Sequence, residues 1–243
     1  MEERIKKDEP ASTRRPNRII GLIKEMWPAY LIEIIVIILG ISITLALEEW
    51  RDHSKERHLE QIYLKNLLTD IQLDLQSLEY TTASTQNLLH HGNEILTYLK
   101  DPVNKPLSAS QLNTDIRTIL ARPDFVSNDA TFSDLKSSGN LQLLRDIQLK
   151  NELFAYYNQA QNIKDIQNAE QQATITLSGS YFLKQFPLAD VGPEQQSAAD
   201  APKSIEFSNN VLLRVTTRQE LLDLYVRADS LATRIKNELP PST

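Results

Sequence analysis

The sequence predicts an all-α fold, with one transmembrane helix continuing into a long helix and an extramembrane antiparallel helical bundle. Three observations point to it. Residues Leu31 to Leu47, LIEIIVIILGISITLAL, form an almost uncharged apolar run. Beyond it, apolar residues recur at three-, four- and seven-residue steps, the signature of amphipathic helices. No segment alternates apolar and polar residues between turn signals, so no sheet is expected.

The apolar run is flanked by Trp27 and Tyr30 on one side and by Trp50 on the other. From Trp27 to Trp50 a helix rises roughly 35 Å, which places an aromatic at each headgroup layer of a bilayer core about 30 Å thick. A cleaved signal peptide fits less well, because its apolar core is about 7–15 residues and ends in a small-x-small site. Thr44-Leu45-Ala46 matches that site poorly. A soluble core helix would show a polar face, which this run lacks.

Orientation follows from the basic residues. The segment before the run carries Arg4, Lys6, Lys7, Arg14, Arg15, Arg18 and Lys24, whereas Arg51, Lys55 and Arg57 after it are mixed with Glu48, Glu49, Asp52 and Glu56. Short flanks richer in Lys and Arg stay cytoplasmic. The expected organisation is a basic cytoplasmic tail (1–26), a transmembrane helix (27–50), a long proximal helix (51–101) and the remainder of a helical bundle (102–239) in the periplasm. Net charge is −6 among 243 residues, with no basic stripe outside the tail, which argues against a nucleic-acid partner. The basic tail itself reads as a topology signal lying near anionic lipid. The chain has no cysteine, which removes disulfides, thiolate metal sites and thiol catalysis together.

No proline occurs between Pro28 and Pro102. Over that interval Leu64, Leu68, Ile71, Leu75, Leu78, Thr85, Leu89 and Leu96 make one stripe, with Asp70, Asp74, Gln76 and Glu79 assigned to the opposite face. The anchor therefore runs on into a helix ending near Asp101, about 100 Å long if continuous, with Gly92 the one place where an interruption would be expected. Residues 101–106 read as a loop. Ser108 with Gln111 makes a capping-box pattern for a short helix ending near Ala121, before Pro123. Ser127-Asn128-Asp129 offers an N-cap for a second short helix over 130–138. Gly139 is a natural left-handed stop and Asn140 a start for the next helix, expected from Leu141 toward Phe186. Thr174, Ile175, Thr176 and Gly179 weaken its far end. A mobile loop is expected at about 187–207, and a last helix over about 210–238 before Pro240-Pro241.

One motif stands out, TFSDLKSSGNLQLLRDIQLKNELFAYY between Thr131 and Tyr157. Its residues Phe132, Asp134, Leu135, Ser137, Ser138, Gly139, Asn140 and Leu141 read as a helix–turn–helix corner. Gly139 permits positive φ, Ser137 and Asn140 satisfy helix ends, and Phe132, Leu135, Leu141 and Leu144 pack across the turn. The motif resembles an uncharacterised family of small single-pass bacterial membrane proteins with a domain of unknown function. The region around Glu33, Val36, Gly40, Ile41, Ala46 and Trp50 is similar to that family too. The resemblance implies a helical, membrane-tethered protein of a bacterial inner membrane. It supplies no activity, substrate or catalytic residue.

Glu33 is the sharpest single residue, because a carboxylate within an apolar span is costly and often functional. At about 100° per residue Glu33, Ile37, Gly40, Thr44 and Arg51 share a stripe. Small and polar residues on one stripe are what helix contacts in lipid use. Glu33, Ile37, Gly40 and Thr44 are thus a transmembrane interface candidate. The alternatives are that Glu33 snorkels to the headgroups or lines a hydrated path. His53, His58, His90 and His91 include no pair at the i,i+4 spacing of a helical metal site, and His90 with Glu94 supplies only two ligands. The pairs Glu56/Glu60 and Asp70/Asp74 read as solvated faces. No phosphate loop, nucleophile elbow or zinc-protease motif occurs. No cofactor, metal or catalytic residue is therefore expected. The expected partners are membrane lipid and either a second copy of the chain or another membrane protein. The reading is a membrane-anchored interaction or scaffold protein. A ligand-sensing periplasmic subunit acting through a partner, and a small oligomeric pore or transporter accessory subunit, stay open beside it.

Overall fold

The computed structural model describes residues 18–179, 181–182 and 204–240. It is all-α, with no strand among the described residues. Among the described residues five α-helices have both ends defined: α1 Arg18–Lys100, α2 Ala109–Leu120, α3 Ala130–Ser137, α4 Ile147–Ala173 and α5 Ile205–Glu238. A short 3₁₀ turn, Asn140–Leu143, precedes α4, and a π-helical segment, Thr174–Gly179, prolongs it. The chain divides inside α1 into two units, 1–56 and 57–243.

In the first unit the side chains from Leu31 to Leu47 are exposed throughout, and so are Trp27, Tyr30 and Trp50. One helix among the described residues is long and apolar enough to cross a membrane, and none of its apolar window is buried. This chain's own core therefore does not cover it. Just after Trp50 the surface changes character, as Lys55 donates to Asp52 at 2.9 Å and His53 lies 3.5 Å from Glu56. Such i,i+3 pairs belong on a helix in water.

The second unit is organised by heptads. On α1 the most buried positions are Leu67, Ile71, Asp74, Leu78, Thr81, Thr85, Leu88, Gly92 and Ile95, at alternating steps of three and four. The seam of α4 runs Leu149, Leu153, Tyr156, Ala160, Ile163, Gln167, Glu170. On α5 it runs Phe207, Val211, Arg214, Arg218, Leu221, Tyr225, Ala228, Ala232, Ile235. A 3.5-residue repeat keeps one seam facing its partners along a whole helix, as in a coiled coil. Side-chain pairs fix the directions. Gln148 reaches Glu238, Gln159 reaches the Leu224 carbonyl and Glu170 meets Arg214, so α4 and α5 are antiparallel. Glu60 meets Arg145 and Asp74 meets Tyr156, so α4 runs parallel to α1.

The apolar side chains form two clusters in this unit. One joins Leu67, Ile71 and Leu78 of α1 to α3, to most of α4 and to the C-terminal half of α5. The other joins Leu89 and Ile95 of α1 to α2, to Tyr181 and Phe182 and to Phe207, Val211 and Val215 of α5. Between them the seams turn polar, with Thr81, Thr85, Gln167, Glu170, Arg214 and Arg218 all buried. A polar layer in a heptad seam sets register, because a one-heptad slip would bury each charge against apolar neighbours.

Several boundaries differ from the sequence reading. α1 itself runs on without a break from the apolar segment through Gly92, as the reading of one continuous helix expects, but it begins at Arg18, ahead of Pro28. The helix expected from Leu141 begins at Ile147, where Asp146 Oδ1 accepts from the amides of Gln148 and Leu149. That side-chain cap stops the helix from extending back into the 3₁₀ turn. The last helix begins at Ile205 rather than near Asn210, because Ser204 caps it by accepting from Phe207 N at 3.1 Å. Residues 205–207 of the expected loop are thus helical, and its positions 187–203 lie outside the described residues. So does most of the expected tail 1–26. At α2, Ser108 caps as its pattern predicts, but Gln111 does not return the bond; its amide goes to Asp115 at 2.7 Å.

Candidate functional site

On the stripe in the apolar segment, Glu33, Ile37, Gly40 and Thr44 all lie exposed on α1. A Cβ built on Gly40 meets nothing within 4 Å. Thr44 Oγ1 donates to the Gly40 carbonyl at 2.9 Å, so its hydroxyl is satisfied within the helix and needs no neighbour. What the stripe offers a second helix is the shallow surface at Gly40 and the Glu33 carboxylate.

The corner motif is a structural joint. Gly139 has φ 76° and ψ 6°, the left-handed region, where a residue with a Cβ is disfavoured. Ser137 and Ser138 both donate to the Asp134 carbonyl, at 3.2 and 2.7 Å, and close the end of α3. Asn140 does not cap a backbone group. Its amide donates to Tyr63 Oη at 2.9 Å, and Tyr63 donates to Asp134 Oδ2 at 2.8 Å. This relay fastens both sides of the turn to α1. Phe132, Leu135 and Leu144 are buried and Leu141 packs against them. Phe132 stacks on Tyr157 with ring centroids 4.4 Å apart, and Lys136 lies 5.6 Å from the Phe132 ring.

Two acidic residues assigned to a solvated face are docking points. Asp74 is wholly buried, accepting from Tyr156 Oη at 2.6 Å and from both nitrogens of Asn128 at 2.7 Å. Asp70 accepts from the Thr131 amide at 3.3 Å. Residues 121–129 have no secondary structure, and Asp74 supplies the acceptor for the Asn128 amide while Asp70 takes that of Thr131 in the first turn of α3. Burial pushes the Asp74 carboxyl above its usual range, against the opposing effect of its hydrogen bonds. Burial likewise raises the Tyr156 and Tyr157 phenols, with the Asp74 charge adding to it. Glu60 is tied down as well, accepting from the Arg145 amide at 3.0 Å.

The deepest charges are Arg214, Arg218 and Glu170. Glu170 Oε1 accepts from Arg214 Nη1 at 3.1 Å and from Arg218 Nε at 2.8 Å, and its Oε2 lies 2.5 Å from Arg218 Nη2. The guanidiniums also hold carbonyls where α2 ends: Arg214 donates to Ile119 and Ala121, Arg218 to Pro123. Burial pulls the Arg214 guanidinium down to about 10, with the Glu170 charge acting the other way and Arg218 adding to the fall. The cluster locks α2 and the following segment against α4 and α5. No spacing pattern shows it, since its partners lie more than 40 residues apart.

No protein-family model, curated protein or solved structure matches the chain. Functional assignment therefore rests on the residues and their placement.

Proposed function

We propose that this chain is a single-pass membrane tether that presents a helical interaction domain and self-associates through its anchor. The observation that carries the reading is the apolar segment from Leu31 to Leu47, which is exposed along its whole length among the described residues. Lipid is the solvent that suits such a surface, because a helix satisfies all its own backbone groups there. On this reading the basic tail is cytoplasmic and the helical domain lies in the periplasm of a bacterial inner membrane. The corner residues that resemble an uncharacterised membrane-protein family support the same assignment without adding an activity. The buried charges of Asp74, Glu170, Arg214 and Arg218 dock segments and fix register, which suits a scaffold.

Association is assigned to the stripe of Glu33, Ile37, Gly40 and Thr44. Gly40 lets two backbones approach, and the neighbouring side chains then make contacts that lipid tails match less well. Donor- and acceptor-labelled full-length chains in proteoliposomes should show energy transfer that falls severalfold in Gly40→Ile. Ile35→Leu, on the opposite face of the helix, should leave it unchanged. Equal transfer in wild type and Gly40→Ile would leave a monomeric tether.

A cleft of about 430 Å³ favours ligand sensing as a second reading. Arg122, Lys136, Lys164 and Gln167 line it, and Gln167 Oε1 is buried without a hydrogen-bond partner. That volume suits a small polar molecule. Such a ligand would raise the Tm of the full chain.

A further inference from the structure

His91 and Glu94 lie one turn apart on α1, and α2 brings Asp115 against them. His91 Nδ1 is 2.7 Å from Asp115 Oδ1 and 3.6 Å from Glu94 Oε2. One ligand atom from each of the three residues can be chosen so that all lie within 4.8 Å of one another. The side chains grade from surface to core, with Glu94 38% exposed, His91 20% and Asp115 0%.

Asp115 is the independent sign of a ligand. It is wholly buried, and its Oδ2 has no hydrogen-bond partner. An unsatisfied buried carboxylate oxygen is costly, and a cation bound by the carboxylate offsets that cost. The other oxygen is held by Gln111 Nε2 at 2.7 Å, an outer contact of the kind that orients a metal-binding carboxylate.

We propose that His91, Glu94 and Asp115 bind a divalent ion of the zinc type and so clip α2 to α1. The donor set is one imidazole nitrogen and carboxylate oxygens. Imidazole suits zinc and its transition-metal neighbours, whereas calcium and magnesium take oxygen ligands alone. Around a tetrahedral zinc ion, ligand atoms about 2.0–2.2 Å from the metal stand roughly 3.4 Å from each other. The His91–Glu94 distance is already close to that. The His91–Asp115 distance is a hydrogen bond, and an entering ion replaces the proton it shares. That proton leaves to solvent or to Nε2 of the same ring. Water fills the remaining position.

The test uses tag-free full-length chain in detergent, titrated with Zn²⁺ against a chromophoric chelator and followed by thermal unfolding. One equivalent should bind. At a free ion concentration about 100-fold above Kd, the Tm should rise by about 5–10 °C. His91→Gln and Glu94→Gln should each weaken binding by about tenfold or more, while His58→Gln, on another part of α1, should not. Both ligand variants lie at partly exposed positions, so at least one will report on a folded chain. No binding, or binding that neither ligand substitution weakens, as an adventitious surface ion would give, overturns the proposal.

Discussion

Replacing Glu170 with leucine is expected to destabilise the helical domain by about 3–5 kcal/mol, the usual cost of leaving a buried charge without its partner. Two guanidiniums share this carboxylate, and both are among the most buried side chains of the protein. Asp124 is a poor substitute, since it is 30% exposed, is already paired with Arg122 at 2.8 Å, and stands 3.4 Å from Arg218. The loss is a large part of an ordinary domain's stability and corresponds to a fall in Tm on the order of 10 °C. Thermal unfolding of the full chain in detergent measures it. Exchanging all three charges for apolar residues should not restore wild-type stability. The arginines also satisfy the carbonyls of Ile119, Ala121 and Pro123, which would then be stranded. A Tm within about 1 °C of wild type for Glu170→Leu would mean the cluster contributes little to the fold.

Gly92→Leu is expected to cost about 3 kcal/mol, at the upper end of the range for overpacking a tight core. A glycine inside a helix is unfavourable by about 1 kcal/mol relative to alanine, so something must hold it there. The structure shows what does: a Cβ at Gly92 would lie 2.5 Å from Val215 Cγ2 and 3.6 Å from Ile119 Cγ2. Here α5 and α2 both press on the backbone of α1. Trimming Val215 should therefore rescue the site, with Gly92→Ala/Val215→Ala more stable than the separate effects imply. Denaturant unfolding of the four proteins in the cycle measures the coupling. A Gly92→Leu variant as stable as wild type would show that the helices do not approach so closely.

Gly92 also shows how far the sequence could be read. Glycine in a periodic helix suggests a break, because the reason for keeping it lies on a helix more than 100 residues away. The long helices themselves were legible, since each buries a stripe whose spacing is local. So was the corner at Gly139, where the left-handed geometry follows from one residue type. Asp74 was misplaced on the solvated face because its partners, Tyr156 and Asn128, come from later segments. The same blindness hid Glu170 from Arg214 and Arg218, and Asp115 from His91. Buried polar pairs carry no periodic signal beyond the heptad position they share with apolar residues. Helix starts at Ile147 and Ile205 were missed for a smaller reason. Each cap, Asp146 and Ser204, is a single polar residue in a polar stretch, distinguishable only once its side chain is seen to accept from the first-turn amides.

On the proposed reading, α1 carries this chain across a membrane with its basic tail inside and its helical domain outside. The chain lacks cysteine, so a single introduced thiol reports on one place alone. Lys105→Cys sits in the exposed loop between α1 and α2, and Ser12→Cys sits in the basic tail. In intact spheroplasts, a membrane-impermeant maleimide should label Lys105→Cys and leave Ser12→Cys untouched until the membrane is permeabilised. Labelling of Ser12→Cys with protection of Lys105→Cys would reverse the orientation, and equal labelling of both in intact spheroplasts would contradict a membrane-spanning tether.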